Sequence, residues 1–148
     1  MEYPLWGDKG EALRLLFVEG SGTGKTSTAA KILANQEFIF KRPYKEVVVC
    51  HEVLDPLLKL LAEKMAERGV VFRFVHGLPN ELIAEYEANG GATVPTLILL
   101  DDLLLRLEKD GRETEKLFLW GSTKLKLDVM ILVQNLYHKA MRNISIQW

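Results

Sequence analysis

The run Glu19-Gly20-Ser21-Gly22-Thr23-Gly24-Lys25-Thr26 carries the densest chemistry in the chain. It lies between an apolar segment, Leu13–Val18 (LRLLFV), and a helix-forming one, Thr26–Ala34. That is the setting of the pattern GxxxxGK[ST]. Its glycines let successive backbone N–H groups close around phosphate oxygens, and the start of the helix adds a positive dipole end. The lysine meets the β- and γ-phosphates and the hydroxyl residue serves Mg²⁺, which assigns Lys25 and Thr26 to those roles. The expected phosphate-binding set is therefore Gly20, Ser21, Gly22, Thr23, Gly24, Lys25, Thr26 and Ser27. Glu19 stands where the pattern has its first glycine, with Gly20 beside it as the flexible residue.

A metal at such a loop needs a second oxygen donor. Asp101, after the apolar run TLILL, is the candidate, because a carboxylate at the carboxyl end of a parallel strand sits where open α/β sheets bind ligands. Asp102 can orient an attacking water or take its proton, which points to nucleotide hydrolysis rather than transfer to a small substrate. The competing role for either aspartate is to cap a helix over Leu103–Lys109. Gln134 ends another apolar run, where an amide can touch the γ-phosphate or the water, and Asn135 stands next to it; a plain turn-forming role is equally open. Arg142 and Arg14 are the cations considered for a phosphate contact, across a subunit interface in the manner of an arginine finger.

These residues need a scaffold, and short β-rich runs alternating with amphipathic stretches supply one. Strands are expected at Leu13–Val18, Glu46–His51, Val70–Val75, Thr96–Leu100 and Val129–Val133. Asp55 caps a helix with Pro56 at its first position and Gly69 just past its end, with Leu57, Leu58, Leu61 and Met65 at helical spacing. Asn80–Ala88 reads as a shorter helix stopped by Asn89-Gly90-Gly91. Helical pieces are expected after Asp102 and over Glu113–Trp120, then a basic loop (STKLKLD), and beyond Asn135 a short helix and a strand at Ile144–Ile146. The strand runs are continuously apolar rather than alternating, the mark of a parallel sheet covered by helices on both faces.

Composition narrows the classes. The chain has 148 residues, enough for a single domain, residues 1–148, and its 48% hydrophobic content excludes disorder as the dominant state. Nineteen Lys and Arg against 20 Asp and Glu leave a net charge of −1, so no global basic field holds a polyanion. The local basic features are Lys41-Arg42 and Lys124-Leu125-Lys126, which suit either a nucleic-acid backbone or a solvated surface. The single cysteine, Cys50, excludes an internal disulfide and reads as core. His51, His76 and His138 have no mutual spacing that suggests a metal site. The apolar runs fall far short of the ~20 residues of a membrane span, so an intracellular, soluble protein is expected.

Taken with the phosphate loop, the segments FVHGLPNEL, LILLDDLL, LFLWGS and VMILVQNLYHKAMRNISI give the chain a specific likeness. It resembles the P-loop ATPases of the FtsK/HerA group, and within them the genome-packaging ATPases of double-stranded DNA viruses and of related virus-like transposons. The resemblance runs from the first strand to Ile146. It implies an α/β P-loop three-layer sandwich with a mostly parallel central sheet and helices on both faces. It implies ATP and Mg²⁺ as ligands, with Lys25 and Thr26 at the nucleotide, Asp101 on the metal, Asp102 as catalytic base, Gln134 as sensor on a strand between the other two, and Arg142 as a following arginine. It also implies a homo-oligomeric ring that pulls double-stranded DNA, a capsid or portal-type partner, and a host-cell cytoplasmic or nuclear setting. Members of the group continue through further strands, so a C-terminally truncated motor domain is expected. Two other readings stay open: a nucleotide-binding interaction module, including an inactive truncated ATPase, and a small P-loop phosphotransferase, for which no arginine-rich lid stands out.

Overall fold

A computed structural model describes residues 12–19, 24–103 and 122–134. Among these, five strands make one sheet: β1 (Arg14–Glu19), β2 (Glu46–His51), β3 (Val71–His76), β4 (Thr96–Asp101) and β5 (Leu127–Gln134). They lie in the order β1-β5-β4-β2-β3, and every neighbouring pair is parallel. The helices are α1 (Gly24–Ala34), α2 (Gln36–Ile39), α3 (Pro56–Ala66), α4 (Asn80–Ala88) and α5 (Ser122–Leu125).

The continuous apolar runs do what two-sided burial demands. Alternate residues of each strand serve opposite cores. Val47, Val49, Leu97, Leu99, Met130 and Leu132 pack with Ala29 and Leu33 of α1 and Leu58, Leu61 and Met65 of α3. Val48, Cys50, Ile98, Leu100, Val129, Ile131 and Val133 pack on the other side with Leu82 and Ile83 of α4 and Leu125 of α5. The molecule is thus an α/β fold with an all-parallel sheet between helices, as expected.

The α3 signals act as read. The Asp55 side chain accepts from the Leu57 N–H at 2.9 Å, Pro56 takes the first position, and Gly69 leaves the helix at φ 79°. Leu57, however, is 40% exposed, so the inward stripe is Leu58, Leu61 and Met65. The third strand also differs from expectation. It begins at Val71 and, among the described residues, is an edge, with Val71 59% and Phe74 37% exposed, so apolar composition there does not mean burial on both faces. The basic segment expected as a loop holds α5, and β5 starts at Leu127, two residues earlier than its apolar run suggests. The segments expected as helices between Leu104 and Trp120, and the elements beyond Asn135, lie outside the described residues.

A polar staple sets the register of β1. Asp128 accepts from the Leu13 N–H at 2.9 Å with one carboxylate oxygen and from the Tyr44 hydroxyl at 2.6 Å with the other. Tyr44 is itself clamped by buried Gln36, which accepts from the Tyr44 N–H at 2.6 Å and donates to its carbonyl at 3.2 Å. Burial, then the charge of Asp128, pushes the Tyr44 hydroxyl pKa far up, so it stays a donor.

Cys50 is fully buried, and burial pushes its thiol from the ordinary 9.0 up to about 12. Because the folded thiol resists ionisation, its contribution to stability is complete below pH 9 and declines as the pH rises toward 12. The expected result is no reaction with a thiol reagent at pH 8 in the native state and full labelling in denaturant. Cys50→Ala should flatten the alkaline loss of Tm between pH 8 and 11. Native-state labelling would refute the burial argument.

Candidate functional site

In a parallel sheet all strands end on one edge, and here that edge gathers the polar strand ends. Glu19 ends β1, Gln134 ends β5, Asp101 ends β4, His51 ends β2 and His76 ends β3. The register makes Glu19 the partner of Gln134, Asp101 the partner of Leu132, and His51 the partner of both Asp101 and His76. With strands about 4.8 Å apart, the end of β1 lies about 10 Å from Asp101, with β5 between them. The strand order expected for the glutamine strand is therefore the order found.

Only residues 20–23 separate Glu19 from α1, so the chain leaves β1 and enters a helix on this same edge. Gly24, Lys25, Thr26 and Ser27 form the first turn of α1, whose backbone N–H groups have no intrahelical acceptor. Gly20, Ser21, Gly22 and Thr23 lie outside the described residues, as do Asn135 and Arg142. Arg14 is excluded from this edge: it opens β1 and pairs with Val129, about 16 Å away along the strand. The basic features are also remote, since Lys41-Arg42 precede β2 and Lys124-Leu125-Lys126 precede β5, at the opposite edge.

Asp101 is the last residue of β4 and only 7% exposed, on the sheet face that α1 and α3 cover. Asp102 is exposed. Its N–H donates to the Leu132 carbonyl at 2.9 Å, the final bond of the β4–β5 ladder, and the backbone then turns at φ 58°. A helix N-cap has extended backbone, so this left-handed geometry is not that of a cap. Aspartate is among the few residues that adopt it at modest cost.

The spacing of the histidines in sequence concealed their meeting here. His51 and His76 are ring neighbours at 6.1 Å, edge to face, and Phe74 lies 6.3 Å from His51. The His51 pKa is lowered, by burial first and by His76 second, while Asp101 opposes the shift; the imidazole is neutral at pH 7. Its Nδ1 is buried with no hydrogen-bond partner among the described residues. The usable signal was position: both histidines are the last residue of an apolar run.

Among the described residues no three His, Cys, Asp or Glu side chains are grouped to hold a metal ion. One buried carboxylate at a strand end could hold a cation that takes its remaining ligands from phosphate oxygens and water, which is the habit of Mg²⁺. Among the described residues no helix is long and apolar enough to cross a membrane. The chain matches no protein-family model, and no curated protein matches it.

Proposed function

We propose that this chain is a P-loop ATPase that hydrolyses ATP with Mg²⁺ and couples the cycle to movement of double-stranded DNA. The observation that carries the reading is the insertion of β5 between β1 and β4, with Glu19 beside Gln134 and Asp101 one strand further on. A strand leading through a glycine-rich loop into a helix, a buried carboxylate two strands away and an amide between them are the parts that phosphate cleavage requires.

In this reading the α1 N-terminus and the backbone of Gly20 to Gly24 cradle the phosphates, and Lys25 neutralises the β- and γ-oxygens. Thr26 and Asp101 would hold Mg²⁺, which supplies charge neutralisation at the phosphates. Asp102 orients the attacking water and accepts its proton, Gln134 contacts the γ-phosphate or that water, and Arg142 adds a cation at the leaving phosphate. The DNA substrate, the homo-oligomeric ring and a capsid or portal-type partner rest on the likeness of the motif set to the FtsK/HerA group.

The test is steady-state ATP hydrolysis with Mg²⁺, with and without duplex DNA, for the native chain and Lys25→Ala. Turnover stimulated by DNA and lost in the variant is the expected result. Tight ATP binding without turnover under any DNA condition would replace the motor with a nucleotide-dependent interaction module. Absence of binding would refute the site.

A further inference from the structure

His51 holds the unpaired buried nitrogen noted above, and it sits one strand from the carboxylate assigned to the metal. The two residues are register partners, so their side chains leave the sheet on the same face, with Cβ atoms about 5 Å apart. On the other flank the ring is bracketed by Phe74 at 6.3 Å and His76 at 6.1 Å. The β2 backbone beneath it is tied down, since the Gly77 N–H donates to the His51 carbonyl at 2.7 Å. A buried ring nitrogen left unpaired costs free energy comparable to a lost hydrogen bond, and a carboxylate stands at the partnered position on the neighbouring strand.

We propose that His51 is a positioning residue for Asp101: when a divalent cation binds, the His51 Nδ1–H would donate to one Asp101 carboxylate oxygen and leave the other for the cation. Ligating carboxylates are held in this way by a second hydrogen-bonding group, whose removal weakens metal binding without touching the metal. A neutral imidazole suits the task. It donates from one nitrogen and brings no positive charge to compete with the cation.

The inference rests on the nucleotide-site reading, and the experiment separates the two. Mn²⁺ binding is followed by electron paramagnetic resonance in the presence of a non-hydrolysable ATP analogue, for the full chain and its variants. His51→Ala should weaken Mn²⁺ about tenfold. His51→Asn should restore it, because the Asn side-chain nitrogen is attached to Cγ as Nδ1 is, whereas His51→Gln, whose amide lies one carbon further out, should not. Affinity for the analogue in excess chelator should be the same in all, which a merely structural defect would not allow.

Equal rescue by Asn and Gln, or native Mn²⁺ affinity in His51→Ala, overturns the proposal. If Asp101→Ala loses Mn²⁺ while His51→Ala does not, only the role of His51 falls. If Asp101→Ala also binds Mn²⁺ normally, the site reading itself fails. Should His51→Ala not fold, the Asn and Gln pair decides.

Discussion

Asp102→Ala is expected to lower ATP turnover about 10²- to 10⁴-fold, the usual loss when a general base is removed, with nucleotide binding intact. Asp102→Gly should lose turnover equally, yet be more stable than Asp102→Ala. The reason is the backbone: Asp102 sits at φ 58°, where a side chain costs about 1–2 kcal/mol and glycine nothing. Its N–H bond to Leu132 is made by the main chain and survives either change. Two variants that both lack the carboxylate thus share the loss of turnover but differ in stability by the backbone cost alone. Turnover and Tm on the same preparations test this, and a Gly variant that still hydrolyses ATP at the native rate would remove Asp102 from the mechanism.

The largest stability loss is expected at Gly91. Its φ is 108°, and a Cβ there would stand 2.8 Å from the Leu125 carbonyl oxygen and 3.0 Å from its carbon. Neither neighbour can yield freely. The same carbonyl accepts from the Ala92 N–H at 2.8 Å, and the Gly91 N–H is spent on the Tyr86 carbonyl at 2.7 Å. Backbone strain and backbone overlap each cost about 1–3 kcal/mol. Gly91→Ala should therefore lose about 3–5 kcal/mol of a total that is about 5–15 kcal/mol for ordinary domains. Gly90→Ala isolates the first contribution, since its φ is 80° and nothing lies within 4 Å of a built Cβ. Urea unfolding should show about 1–2 kcal/mol lost at Gly90 and at least twice that at Gly91. Equal losses would mean that the Leu125 approach carries no energy. The contact also bears on the proposed site, because it joins the entry to β4 with the entry to β5, whose far ends carry Asp101 and Gln134.

The features that could be read from residue order alone are those in which one segment decides its own state. The α3 boundaries followed from Asp55, Pro56 and Gly69, and the parallel, two-sided sheet followed from runs such as Thr96–Leu100, which is buried at every position. The glycine-rich loop and the aspartate pair were found because their chemistry is written in consecutive residues. Pairings across the sheet were not, since register depends on residues far apart. His51 and His76 are separated by 25 positions in sequence yet share one register step. The exposure of Val71 and Phe74 was equally hidden, because nothing in VFRFVH states how much of the strand its neighbours cover. Arg14 shows the converse, a cation near the loop in sequence that the strand's direction carries away from its own chain's strand ends.

The polar staple at Asp128 has a consequence for the order of assembly. Leu13 and the carboxylate that receives its N–H are 115 positions apart, and the strand holding β1 in the sheet is the last one described. Strands β2, β3 and β4 with α3 and α4 need only the chain from Glu46 to Asp101 to find one another. Closing the loop to β1 carries the larger entropic cost and comes late. A growing chain would thus hold β1 outside the sheet until Gln134 has been made, and the edge proposed to bind nucleotide would be completed only as β5 slides in between β4 and β1. Synthesis itself would delay ligand binding until the sheet is whole.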